Sequence, residues 1–170
     1  MEVKIGAANL ISYVLLIAIV LSAITIVLKV AQPSLENSKD AAEFERAKEK
    51  LDAIDQKIRR VASYGPDTTE KASIEVKRGK YQLKRSNNSL NYWIETKYEL
   101  VSPGTEKEFG NLVISGEKMT NEAYIVHIRL SYENINLTGM ERSLGPGYHS
   151  LSINNEGLTN GQTNIEVNVE

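Results

Sequence analysis

Apolar residues follow three successive rules along this chain: nearly every position, then every third or fourth, then every second. From Ile5 to Leu28 there are 24 residues and none is charged. Thirteen of the residues from Leu10 to Leu28 are Leu, Ile or Val. As a helix the uncharged run reaches roughly 36 Å, enough to cross a hydrocarbon core of about 30 Å with some tilt. A helix apolar on every face is out of place on a small soluble domain. The pattern predicts a membrane-embedded helix, with the bilayer as its first partner.

Pro33 interrupts the pattern. Proline lacks a backbone donor and disfavours helix at the residue before it, so a kink or restart is expected there, with Ser34 as a new cap. From Leu35 to Ala62 the pattern becomes amphipathic. Phe44, Ala47, Leu51, Ile54, Ile58 and Val61 recur at spacings of 3 and 4, a heptad-like seam. Seven acidic and seven basic residues occupy the other faces. Asp55–Arg59, Glu43–Arg46 and Glu45–Lys48 stand at helical neighbour spacings, each worth a few tenths of a kcal/mol. The seam serves either packing on the domain that follows or contact with identical helices. Tyr64-Gly65-Pro66 ends the helix.

Beyond Ala72 the period falls to 2. Alternating segments are expected at Ser73–Lys77, Lys80–Lys84, Leu90–Val101, Leu112–Ser115, Tyr124–Tyr132, Tyr148–Ile153 and Asn164–Val169. Turns are expected at Arg78-Gly79, Ser86–Ser89 and Asn154–Gly157. Seven short strands at near-regular spacing suggest an antiparallel β-sandwich-like head. Leu144-Gly145-Pro146-Gly147-Tyr148 has the form of a tyrosine corner, in which the phenol bonds back to nearby backbone. The fold class is therefore α+β. A long hydrophobic helix, kinked near Pro33, continues into an amphipathic helix over 33–65, followed by a β-rich head over 66–170.

Composition narrows the chemistry. The net charge is −2, and no face carries the dense Lys/Arg cluster that phosphate binding needs, so no nucleic-acid partner is expected. The absence of cysteine removes disulfides and thiolate chemistry. His127 and His149 have no partner at ligand spacing, and four aspartates leave calcium cages unsupported. No phosphate loop and no nucleophile elbow is present. We expect no catalytic residues, no metal and no cofactor, hence no enzyme. Asn87-Asn88-Ser89 and Asn136-Leu137-Thr138 are sequons, making Asn87 and Asn136 candidate N-glycosylation acceptors in an exported head.

The apolar run is too long for a secretory h-region, and Lys29–Pro33 is no small-residue cleavage site, so the helix is expected to stay on the mature chain. Lys4 and Lys29 flank it evenly, so charge alone does not orient it.

The stretch Lys4-Ile5-Gly6-Ala7-Ala8-Asn9-Leu10-Ile11-Ser12-Tyr13-Val14-Leu15-Leu16-Ile17 resembles the start of archaeal type IV pilin-like proteins with class III signal peptides. The resemblance covers about the first thirty residues. It implies a leader over 1–6 cut between Gly6 and Ala7 by a prepilin peptidase, and a helix over 7–32 that anchors the subunit and later forms a filament core. It also implies an assembly machinery and a head outside the cell. Two positions depart from the pattern: Ile5 stands between Lys4 and Gly6, and Ile11 occupies the fifth mature position, where many bacterial members have glutamate. Leu10, Val14, Ile17, Val20 and Ile24 are the expected membrane and assembly residues, with a homo-oligomer as the product. A surface filament subunit is the leading expectation. The alternative is a single-pass, membrane-anchored β-sandwich binding module, a surface-layer or filament accessory protein that does not polymerise.

Overall fold

The computed structural model describes residues 3–120, 122–139 and 141–170, with side chains from residue 10 onward. One helix, α1, runs from Val3 to Tyr64. The chain divides into two compact units, Met1–Lys39 and Asp40–Glu170.

In the first unit, every residue from 10 to 30 is exposed. Pro33 lies inside α1, which continues through it. Proline removes one backbone donor, while each following residue still gains a helical bond by propagation. Ser34 therefore caps no new helix. It is an interior residue whose carbonyl accepts from the Ser38 hydroxyl at 2.9 Å.

Among the described residues the second unit adds ten strands to the C-terminal part of α1. They are β1 (Thr69–Val76), β2 (Lys80–Lys84), β3 (Ser89–Thr96), β4 (Glu106–Phe109), β5 (Leu112–Lys118), β6 (Tyr124–Ser131), β7 (Ile135–Gly139), β8 (Ser143–Leu144), β9 (Gly147–Thr159) and β10 (Gln162–Val169). They form a four-stranded sheet in the order β1-β9-β10-β7 and a six-stranded sheet in the order β4-β5-β6-β3-β2-β8. The pairings are antiparallel except β7 with β10, which is parallel. The α+β class and the sheet-built head are as expected from the periodicities.

The helical seam belongs to the head. Ala47, Leu51, Ile54, Ile58 and Val61 are buried in one cluster with Ile74, Ile128, Ile153 and Ile165, and Phe44 is partly covered against it. Their 3- and 4-residue spacing keeps these side chains on one stripe of the helix. Polar links pin the same helix to both sheets. The Asn155 amide on β9 donates to the Val61 carbonyl at 2.9 Å. Buried Asp40 accepts from the Thr96 hydroxyl at 2.7 Å and pairs with Arg78. The three side-chain pairs expected along the helix form, at 3.0 Å for Asp55–Arg59, 3.4 Å for Glu43–Arg46 and 2.6 Å for Glu45–Lys48.

Several strand expectations are corrected. β9 runs straight through Asn154–Gly157, where a turn was expected. The buried Asn155 side chain accepts from the Gly157 amide, and a bulge opposite Asn164 and Ile165 absorbs the extra residue. The hairpin turn is at Asn160-Gly161, both at positive φ (54° and 83°), which suits the twist of an Asn-Gly hairpin. β3 ends at Thr96 rather than Val101, because the Thr96 hydroxyl oxygen accepts from the Tyr98 amide and turns the chain. Tyr148 makes no corner. It is 83% exposed, and its hydroxyl donates to Glu75, its cross-strand neighbour.

β7 is an edge strand held from outside by one side chain. The Asn88 amide donates to the Tyr132 and Ile135 carbonyls, and its carbonyl accepts from the Leu137 amide. Asn88 takes the left-handed conformation at φ 49° that aims it there. On its inner side β7 touches β10 so closely that a Cβ at Gly139 would stand 2.1 Å from the Val167 carbonyl oxygen.

Burial raises the pKa of three tyrosines well above the usual 10.0, with nearby Glu43 adding to it at Tyr81 and Tyr92 and nearby Asp55 at Tyr132. The folded state therefore holds these protons after the unfolded chain has lost them. Their contribution is intact below about pH 10 and declines above it, by about 1.4 kcal/mol per pH unit for each tyrosine. In an absorbance titration of tyrosinate, we expect three of the eight tyrosines to ionise only as the head unfolds. Smooth titration of all eight with the head still folded would contradict this packing.

Candidate functional site

The first unit presents one surface. The apolar stretch of α1 is wholly unburied. Leu10, Val14, Ile17, Val20 and Ile24 are 67%, 60%, 55%, 48% and 49% exposed, so every residue expected on this helix faces outward. The helix is long and apolar enough to cross a membrane once, which fits a single-pass membrane protein.

Two hydroxyls within the stretch are turned inward. The Ser22 hydroxyl donates to the Ala18 carbonyl and the Thr25 hydroxyl to the Leu21 carbonyl, each at 2.8 Å. Hydroxyls satisfied on their own helix need no water, so these two add little polar cost when the surface is dehydrated. Leu15, Ala18, Ile19, Ser22, Ala23 and Ile26 line a shallow open groove of about 400 Å³. Ala18, Ser22 and Ala23 among them are small, and small residues allow another helix to approach closely. Gly6 and Ala7 fall within the helix, and the Ala7 side chain lies outside what the structure describes.

The remaining expected sites lie apart from this surface. Asn87 is exposed at the end of a 3-10 turn, Arg85–Asn87. Asn136 lies half-buried in β7, its amide nitrogen donating to the Asn164 side chain at 2.8 Å. His127 is half-buried on β6, and His149 contacts the Gly145 carbonyl at 2.8 Å. Among the described residues no group of His, Cys, Asp and Glu is placed to hold a metal ion.

One constellation has no counterpart in the sequence reading, which treats Asp55–Arg59 as an ordinary surface pair. Both Asp55 oxygens also accept from Asn111 Nδ2 at 3.2 Å, and the Arg59 guanidinium stands over the Tyr132 ring at 5.8 Å. Helix, hairpin and strand end meet at one carboxylate. Asn111 and Tyr132 are more than fifty residues from Asp55, and no local spacing signals the meeting.

No curated protein and no solved structure matches this chain. A family model does, over residues 6–118, from the apolar stretch of α1 to the last residue of β5, so apolar helix and first head strands are matched together. The chain belongs to the family of unknown function DUF7289.

Proposed function

We propose that this protein is a structural subunit of a type IV pilus-like surface filament, held in the membrane by its N-terminal helix before assembly. The observation that carries the reading is the unburied apolar helix of the first unit, with the Ser22 and Thr25 hydroxyls bonded internally, on the same chain as a folded β head. In a bilayer such a helix satisfies its own backbone. Outside the bilayer its apolar surface has to be covered, and identical copies supply a matching surface. The seam from Ala47 to Val61 is occupied within the head, so the assembly surface is the segment preceding Asp40. Asn87 is the better glycan acceptor of the two sequons, because the Asn136 amide is already bonded.

The chain has no cysteine, so a single introduced one reports self-contact without background. Ala18→Cys and Ser22→Cys, oxidised in the cell, are expected to yield disulfide dimers in a sheared surface fraction. Monomers alone, confined to membranes, would favour the anchored module that does not polymerise.

A further inference from the structure

The Asp55 network backs a polar cavity of about 360 Å³ in the head, near the lower end of the roughly 300–1,000 Å³ typical of small-ligand sites. Three segments bound it. Arg59 comes from α1, Glu108 and Asn111 from the β4–β5 hairpin, and Ser131, Glu133 and Asn134 from the end of β6 and the link to β7.

Two side chains of the wall, Arg59 and Asn111, are held in place before any ligand arrives. Asp55, with its side chain only 13% exposed, takes the Arg59 Nε at 3.0 and 3.1 Å and the Asn111 amide at 3.2 Å. The Tyr132 ring supports the guanidinium from below. This arrangement uses one edge of Arg59 and leaves its two terminal nitrogens without a partner among the described residues. Asn111 spends its amide N–H on Asp55 and keeps its carbonyl oxygen. Such fixed side chains lose little freedom when a ligand binds.

The chemistry of the wall selects the ligand. Arg59 supplies donors, Glu108 and Glu133 supply acceptors, and Ser131 and Asn134 supply both. Vicinal hydroxyls, each donating and accepting, match planar carboxylate, amide and guanidinium groups in pairs. One guanidinium among Asp55, Glu108 and Glu133 disfavours an anion. Val113 and Ile135 add apolar surface for C–H faces.

We infer that this cavity binds a neutral saccharide unit. The inference rests on the head alone and stands or falls separately from the filament reading.

The test uses the full chain in nanodiscs of phosphatidylcholine without glycolipid, read by saturation-transfer NMR. The probes are glucose, galactose, mannose and N-acetylglucosamine, with glucuronate as the anionic comparison. At least one neutral sugar is expected to bind with a Kd on the order of 1 mM, in keeping with so small a ligand. Arg59→Gln and Asn134→Ala should each weaken it about tenfold or more, with glucuronate weaker than its neutral parent. Asn134 is exposed, so its truncation keeps the test valid if Arg59→Gln perturbs folding. Failure of all four neutral sugars to bind, tighter binding of glucuronate, or unchanged binding in Asn134→Ala and in folded Arg59→Gln would each overturn the proposal.

Discussion

Val20→Arg is expected to remove the protein from both the membrane and the surface fraction. Val20 lies at the middle of the helix over 7–32, on the face shared with Ile17 and Ile24, and all three side chains are open. In a bilayer, arginine at a helix centre costs about 2.5–3.5 kcal/mol on insertion scales, a loss of roughly 100-fold in partitioning. Packed among copies of the same helix, the charge would have no carboxylate partner, since the stretch contains none. An unpaired buried charge there costs still more. Val20→Ala preserves the apolar character and should leave both fractions close to normal. Quantitative blotting of membrane and sheared fractions reads the difference. Normal amounts of the arginine variant in the sheared fraction would rule out packing through this face.

The second large effect falls on the head. Leu51→Ala and Ile58→Ala each remove a fully buried side chain from the helical seam. Truncations of this kind cost about 2–5 kcal/mol, depending on how far the site collapses. Leu51 and Ile58 stand two helical turns apart, so their losses should nearly add. Together they approach the whole stability of a typical domain, about 5–15 kcal/mol. Trp93 is the sole tryptophan and lies on β3, so its fluorescence follows denaturant unfolding of the head. Leu21→Ala, on the exposed apolar segment, should leave that midpoint unmoved. A wild-type midpoint for Leu51→Ala would show that the seam does not pack into the head.

These two experiments separate the jobs done by one helix. Up to Leu28 the helix has apolar surface on all sides, whereas from Asp40 onward the apolar positions narrow to a stripe filled by the head. That change of pattern is readable in the sequence, because periodicity records which faces leave water. So are β2, β6 and the turn at Arg78-Gly79, where alternation and turn residues agree.

What escaped the sequence depends on distant partners. β4 has all four residues exposed, so no alternation marks it. β7 lies parallel beside β10 and is held by the amide of Asn88, a residue read from sequence only as part of a turn and a sequon. The Asn154–Gly157 stretch has turn composition, yet Asn155 uses its amide as substitute backbone and the strand continues. The Asn160-Gly161 pair, a strong local hairpin signal, marks the true turn. The cavity is less legible still, because its walls come from three segments joined at Asp55. Pairing across the head, not spacing along the chain, creates it.

The central claim is that the apolar helix passes from a membrane anchor to a filament core after its leader is removed. Intact mass and N-terminal sequence, taken from cell membranes and from a sheared surface fraction, test this most directly. The account predicts a chain beginning at Ala7 in the sheared fraction. A chain still beginning at Met1 and found only in membranes would contradict it.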